Sequence, residues 1–190
     1  MPENQTRLYV ALVHYPVLNR KGDTIASAIT NLDLHDLGRL VCTFGVPKCY
    51  IITPLKDQQA LADLLLSHWI ERIGKELHPD REKPLRHLLV VESVEAAQLD
   101  IESNSGQRPR IWATTAKNQE SKLTIRQARK LLTEDVEPSL LLLGTGWGLA
   151  PVVLSQADAV LETIQGINGY NHLSVRCAAA ILLDRLVARD

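Results

Sequence analysis

Short apolar runs alternate along the chain with longer stretches whose apolar residues recur at helical spacing. Leu8 to Val13 (LYVALV) is apolar at every position and predicts a strand buried on both faces. Lys48 to Thr53 (KCYIIT, stopped by Pro54), His87 to Val91, Arg110 to Ala113 (RIWA), Ser139 to Leu143 (SLLLL) and the shorter Ala159 to Leu161 predict five more. Leu32 to Gly45 reads as a helix, with Leu34, Leu37, Val41 and Phe44 on one stripe and Gly45 ending it. Asp57 to Leu77 predicts a long helix and Val94 to Leu99 a short one. Thr124 to Leu132 starts with a threonine cap, and Leu173 to Ala188 forms a last, strongly apolar helix. Glu76 to Arg86 and Glu102 to Gln107 are polar and predict surface loops too short to be linkers. This alternation implies an α/β fold, a mostly parallel sheet covered by helices on both faces, over a single domain spanning 1–190.

Composition narrows the class. The 190 residues are 45% hydrophobic and 23% charged, as expected for a folded globular chain. No apolar run approaches the ~20 residues needed to span a bilayer, and the polar start lacks a signal-type flank, so no membrane partner and a cytoplasmic location are expected. Cys42, Cys49 and Cys177 are odd in number and contain no CxxC pair, which argues against a disulfide framework or a bound metal. A net charge of −1 gives no global attraction to nucleic acid.

Three segments carry candidate chemistry. In LLLLGTGWGLAP, a strand delivers Gly144, Gly146 and Gly148, whose backbone can approach a ligand closely and offer N–H donors. A dinucleotide-binding loop is one reading, with Glu162 near the expected acidic offset. Pro151 in place of a long helix, and the 42 residues left after Gly148, count against it. A connecting turn with no ligand is the plainer alternative. The second segment is Ile164 to Asp184, a glycine-bearing loop that feeds a helix capped by Asn171 or Ser174. That helix is apolar on several sides and must be enclosed by the chain or packed on a second subunit. In the third, Thr30 to Gly45, Asp33, Asp36 and Arg39 recur every three residues. The plainer account there is an exposed face with an Asp36–Arg39 ion pair. Among the histidines, His14 stands where the first strand ends and is a candidate to line a cleft.

Taken in order, LVHYPVLNRKG, GTGWGL, GYNHLSVR and AAAILLDRL resemble the SPOUT class of RNA methyltransferases. Within that class the chain is similar to a stand-alone group of S-adenosylmethionine-dependent enzymes, near the SpoU and tRNA guanine-N1 branches. The resemblance implies a C-terminal deep trefoil knot, an obligate homodimer, an RNA substrate (tRNA or rRNA) and S-adenosylmethionine held by three loops. Carried over, the first loop contributes Thr114 and the second Leu143, Gly144, Thr145, Gly146, Gly148 and Leu149. The third contributes Ile164, Gly166, Tyr170, Asn171 and Leu173. Arg39, six residues before Gly45, matches the SpoU-like arginine and implies a phosphate-binding or acceptor-orienting role. Asp33 and His172 stand where that branch has asparagines, and either is a candidate to take a proton. RNA affinity would then rest on Arg20/Lys21, Arg108/Arg110 and the Lys117, Lys122, Arg126, Arg129, Lys130 series. The competing functions are a catalytically silent RNA-binding or scaffold dimer and an NAD- or nucleotide-binding enzyme.

Overall fold

The computed structural model describes residues 6–72, 76–117 and 122–188. Its centre is a seven-stranded sheet in the order β5-β4-β1-β8-β6-β9-β7. The strands are β1 (Leu8–Val13), β4 (Cys49–Ile52), β5 (Leu88–Val91), β6 (Arg110–Ala113), β7 (Lys122–Leu123), β8 (Ser139–Gly144) and β9 (Ala159–Leu161). Every pairing among them is parallel. A separate antiparallel hairpin joins β2 (Val17–Leu18) to β3 (Thr24–Ile25). The helices are α1 (Asn31–Thr43), α2 (Lys56–Ile70), α3 (Pro79–Leu85), α4 (Val94–Ser105), α5 (Ile125–Glu134), α6 (Pro151–Ser155) and α7 (Val175–Val187).

Alternation within the strands divides the core in two. Leu8, Val10 and Leu12 of β1 pack with α1, α2, α3, α5 and α7 on one face. Tyr9, Ala11 and Val13 pack with α4, α6 and Val17 on the other. A strand apolar at every position is what this three-layer arrangement requires. Local signals set the helix starts. Thr30, Ser93, Thr124 and Ser174 each accept a backbone N–H from the first turn, and Thr124 forms a full capping box with Gln127. The cap of the last helix is thus Ser174, not Asn171.

Three helical expectations are changed by the structure. Glu76 to Arg86 is not all loop, because α3 forms within it. Pro79 suits a first helical turn, and Leu85 is buried beside Gly38 of α1. The helix expected over Asp57 to Leu77 ends at Ile70, and 73–75 lie outside the described residues. The short helix expected over Val94 to Leu99 runs on to Ser105. Ile101 anchors it in the core, and Gly106 ends it in the left-handed conformation at φ 75°. The polar Glu102–Gln107 stretch is therefore mostly the exposed side of a helix.

Truncating a core strand should be costly. Leu141→Ala in β8 is expected to lower unfolding free energy by about 2–5 kcal/mol, and exposed Leu64→Ala by under about 0.5 kcal/mol, in urea melts.

Candidate active site at the carboxyl ends of the strands

An all-parallel sheet brings the carboxyl ends of its strands to one edge, where such folds place their ligands. The segments after β1, β6, β8 and β9 meet there: His14, Thr114, Thr145 and Glu162 are the first or second residues beyond them.

The glycine loop after β8 is stitched to the β2–β3 hairpin. Leu18 N–H donates to Gly148 O at 2.9 Å, Trp147 N–H to Leu18 O at 2.9 Å, and Ala150 N–H to Pro16 O at 3.1 Å. Val17 and Leu149 form an isolated bridge. The approach is too close for side chains. A Cβ on Gly146 (φ +59°) would lie 2.8 Å from Leu18 O, and one on Gly144 would lie 2.6 Å from Leu149 N. The N–H groups of Thr145 and Gly148 also donate within the chain, to Val13 O and Thr145 O. Among the loop's N–H groups, those of Thr145, Trp147 and Gly148 are thus engaged within the chain. Leu143 and Leu149 are buried, so only their backbone can face a ligand, while Trp147 is 61% exposed.

The first and third loops touch. Asn171 Nδ2–H donates to Ala116 O at 2.6 Å, and Thr114 Oγ1–H donates to Leu142 O at 2.8 Å. A Cβ on Gly166 would lie 2.7 Å from Tyr170 O, so the third loop closes tightly there. Ile167, Tyr170 and Leu173 are exposed, and Ile164 is half-buried against the core. The Tyr170 and His172 rings meet edge to face at 5.5 Å.

Asp33 and Arg39 do not come together within the chain. Six residues apart on a helix, they point about 120° away from each other. Asp33 is buried, accepts the Thr30 hydroxyl at 2.6 Å on Oδ2, and faces Arg176 Nε at 3.4 Å on Oδ1. Arg176 also reaches Asp36 at 3.3 Å, which replaces the expected Asp36–Arg39 pair. Arg39 is exposed and acts electrostatically on His35. Sequence reasoning missed Arg176. Its signal was a lone cation in the first turn of an otherwise apolar helix.

His14 is fully buried at the end of β1. Its Nδ1 lies 2.9 Å from Ser27 Oγ, which lies 2.5 Å from Thr145 Oγ1. Burial pushes the imidazole pKa down to about 4, against the opposing pull of Asp33.

The basic surface is narrower than the sequence suggested. Arg110 is paired with Asp135 at 2.7 Å and Glu137 at 2.6 Å, beside a groove of about 570 Å³ at the opposite, amino ends of the strands. Arg129 donates to Arg185 O and Ala188 O, Lys130 lies 3.6 Å from Glu134, and the Lys122 side chain lies outside the described residues. Among the described residues, no helix is long and apolar enough to cross a membrane, and no group of three His, Cys, Asp or Glu could hold a metal ion.

The fold is shared with the SpoU methyltransferase AviRb of Streptomyces viridochromogenes in complex with its cofactor AdoMet, at a TM-score of 0.54 and 14% identity, covering 98% of this chain and 58% of that one. Residues 7–188 match a family described as SAM-dependent RNA methyltransferase, and the chain belongs to that family. It is 48% identical over 180 residues to a tRNA (guanine-N(1)-)-methyltransferase of Oleidesulfovibrio alaskensis, covering 95% of this chain and 42% of the relative. The chain thus spans less than half the length of that curated relative. An uncharacterized protein of Aquifex aeolicus is 31% identical over 183 residues, covering 96% of this chain and 89% of that protein.

The residues present fit S-adenosylmethionine. Exposed apolar side chains on the second and third loops (Trp147, Ile167, Tyr170, Leu173) give an adenosine a surface to cover, and close glycine packing keeps the loops thin.

The folded protein binds fewer protons than the unfolded chain between pH 6.5 and about 4, because His14 stays neutral. Its contribution is therefore complete above pH 6.5 and lost as pH falls through that window. The wild type should lose up to ~3 kcal/mol more stability across it than His14→Asn, in denaturant titrations at each pH. Superimposable profiles would contradict the buried neutral imidazole.

Proposed function

We propose that this chain transfers the methyl group of S-adenosylmethionine to a nucleotide of tRNA, as a cytoplasmic homodimer with a knotted C-terminal segment. The observation that carries the reading is the family match over 7–188, joined to three loops that meet at one sheet edge. The name of the 48% relative supports tRNA over rRNA. More than half of that relative lies beyond the aligned segment, so the proposal extends to the RNA class and not to the base atom in that name.

S-adenosylmethionine supplies, when bound, a methyl group already activated on a sulfonium, so positioning accounts for much of the acceleration. Thr114, the Leu143–Leu149 loop and the Ile164, Gly166, Tyr170, Asn171 and Leu173 loop would hold it. Arg39 binds a phosphate of the acceptor strand, since a guanidinium stays charged and cannot serve as a base. Both Asp33 oxygens are engaged by Thr30 and Arg176, and exposed His172 is the better placed of the two groups to take the acceptor's proton.

Two observations support the assembly. Arg39 is turned away from its own Asp33, and a second copy against α1 and α7 would supply it to a neighbouring site. Leu32 of α1 is an exposed apolar group that such a copy would cover. The knot is supported by the sheet order. β9 inserts between β6 and β7, and the segment leaving it is tied by Asn171 to the β6–β7 connection.

Transfer of tritiated methyl to bulk tRNA, followed by nucleoside mass spectrometry, tests the reading. Labelled tRNA is expected, with binding that weakens steeply as salt rises. Thermal stabilisation by NAD and not by S-adenosylmethionine would overturn it. Arg39→Ala should leave cofactor affinity within about twofold and cut transfer about 100-fold. Gly146→Val should abolish cofactor binding in calorimetry while sedimentation still shows a dimer.

A further inference from the structure

His14 holds a position that its burial alone does not explain. It is fully enclosed, and its Nε2 has no hydrogen-bond partner among the described residues. A leucine would fill the space without that cost. The polar network on the other side of the ring shows what the imidazole does.

Counting protons settles the tautomer. Thr145 Oγ1 donates its hydrogen to Val13 O at 3.0 Å. Its contact with Ser27 Oγ at 2.5 Å must therefore use the Ser27 hydrogen. Ser27 Oγ is then left to accept, and His14 Nδ1, 2.9 Å away, must be the N–H donor. Nε2 carries the lone pair. An imidazolium would bury a second N–H with nothing to receive it, so the ring stays neutral.

This chain of donors spans three segments. His14 ends the central strand, Ser27 leaves the hairpin toward Thr30 and Asp33, and Thr145 lies between Gly144 and Gly146. The backbone reinforces the link, since Ser27 N–H donates to His14 O at 2.8 Å. One imidazole thus sets the glycine loop against the approach to α1.

We propose that His14 is a positioning residue of the methyl-transfer site, acting through Ser27 and Thr145 to hold the glycine loop in its cofactor-binding shape. The proposal rests on the methyltransferase reading above. It does not require His14 to touch the cofactor or the RNA.

The test measures S-adenosylmethionine affinity by calorimetry in the full chain, beside melting temperature. His14→Ala and Ser27→Ala should each weaken binding about tenfold, and the double variant should be no worse than either, because the two residues act as one unit. His14→Asn places an amide N–H where Nδ1 stood and should restore affinity to within about threefold of wild type. His14→Gln places its amide near Nε2 and should not. A purely structural role would follow melting temperature and would not separate Asn from Gln. Nitrogen-15 spectra of the wild-type imidazole should show the proton on Nδ1.

Restoration by Gln equal to that by Asn, unchanged affinity in His14→Ala, or a proton on Nε2 would each overturn the positioning role. A wild-type protein that binds no S-adenosylmethionine would overturn the methyltransferase reading itself. Wild-type binding with an indifferent His14→Ala would sink only the positioning role.

Discussion

The pairing of β1 with β8 sets the rest of the structure. The two strands run parallel in full register from Leu8 opposite Ser139 to Val13 opposite Gly144. β1 is apolar throughout and β8 is apolar from Leu140 to Leu143, and both are covered on each face, so a slip by one residue would exchange the two side-chain sets between the cores. This register fixes where the strands end together, and so where His14 and Thr145 emerge side by side. The hairpin, the glycine loop and the start of α1 are then assembled around those two residues.

Gly144 and Gly146 are needed at that edge because the chain passes within van der Waals contact of itself, at Leu149 N and Leu18 O. A glycine-rich loop after a strand is commonly read as a cradle of free N–H donors. Here three of those donors are closed by the chain, and what the loop presents outward is Trp147 and its shape.

The charged groups of α1 illustrate how helical phase divides labour. Asp33 and Asp36 face Arg176 of α7 and help dock the last helix. These partly exposed pairs contribute modestly to stability; their larger effect is to fix the direction in which α7 leaves the third loop. Arg39, on another side of the same helix, takes no part in that docking. A residue trio that looks like one cluster in the sequence is two separate devices in space.

Much of the architecture was readable from the residues. Six apolar runs marked six of the seven sheet strands, and the candidate caps Thr124 and Ser174 stood where helices begin, because burial and capping are local demands on composition. The two-residue strands β2, β3 and β7 left no periodic trace, and α3 was hidden because a short, charge-rich, proline-bearing stretch becomes helical only when Leu85 has a core to enter. The three loops were legible as motifs, and Arg176 was visible only as an oddity. The sequence by itself determined the layered α/β class, the buried strands and the glycine positions, since these depend on hydrophobic pattern and backbone freedom. The tertiary structure alone decided that Asp36 pairs with Arg176, that Arg110 is closed off by Asp135 and Glu137, and that His14 is the donor to Ser27. Each of those outcomes depends on residues far apart in the chain being brought within hydrogen-bond reach, which only the packed sheet and its register can do.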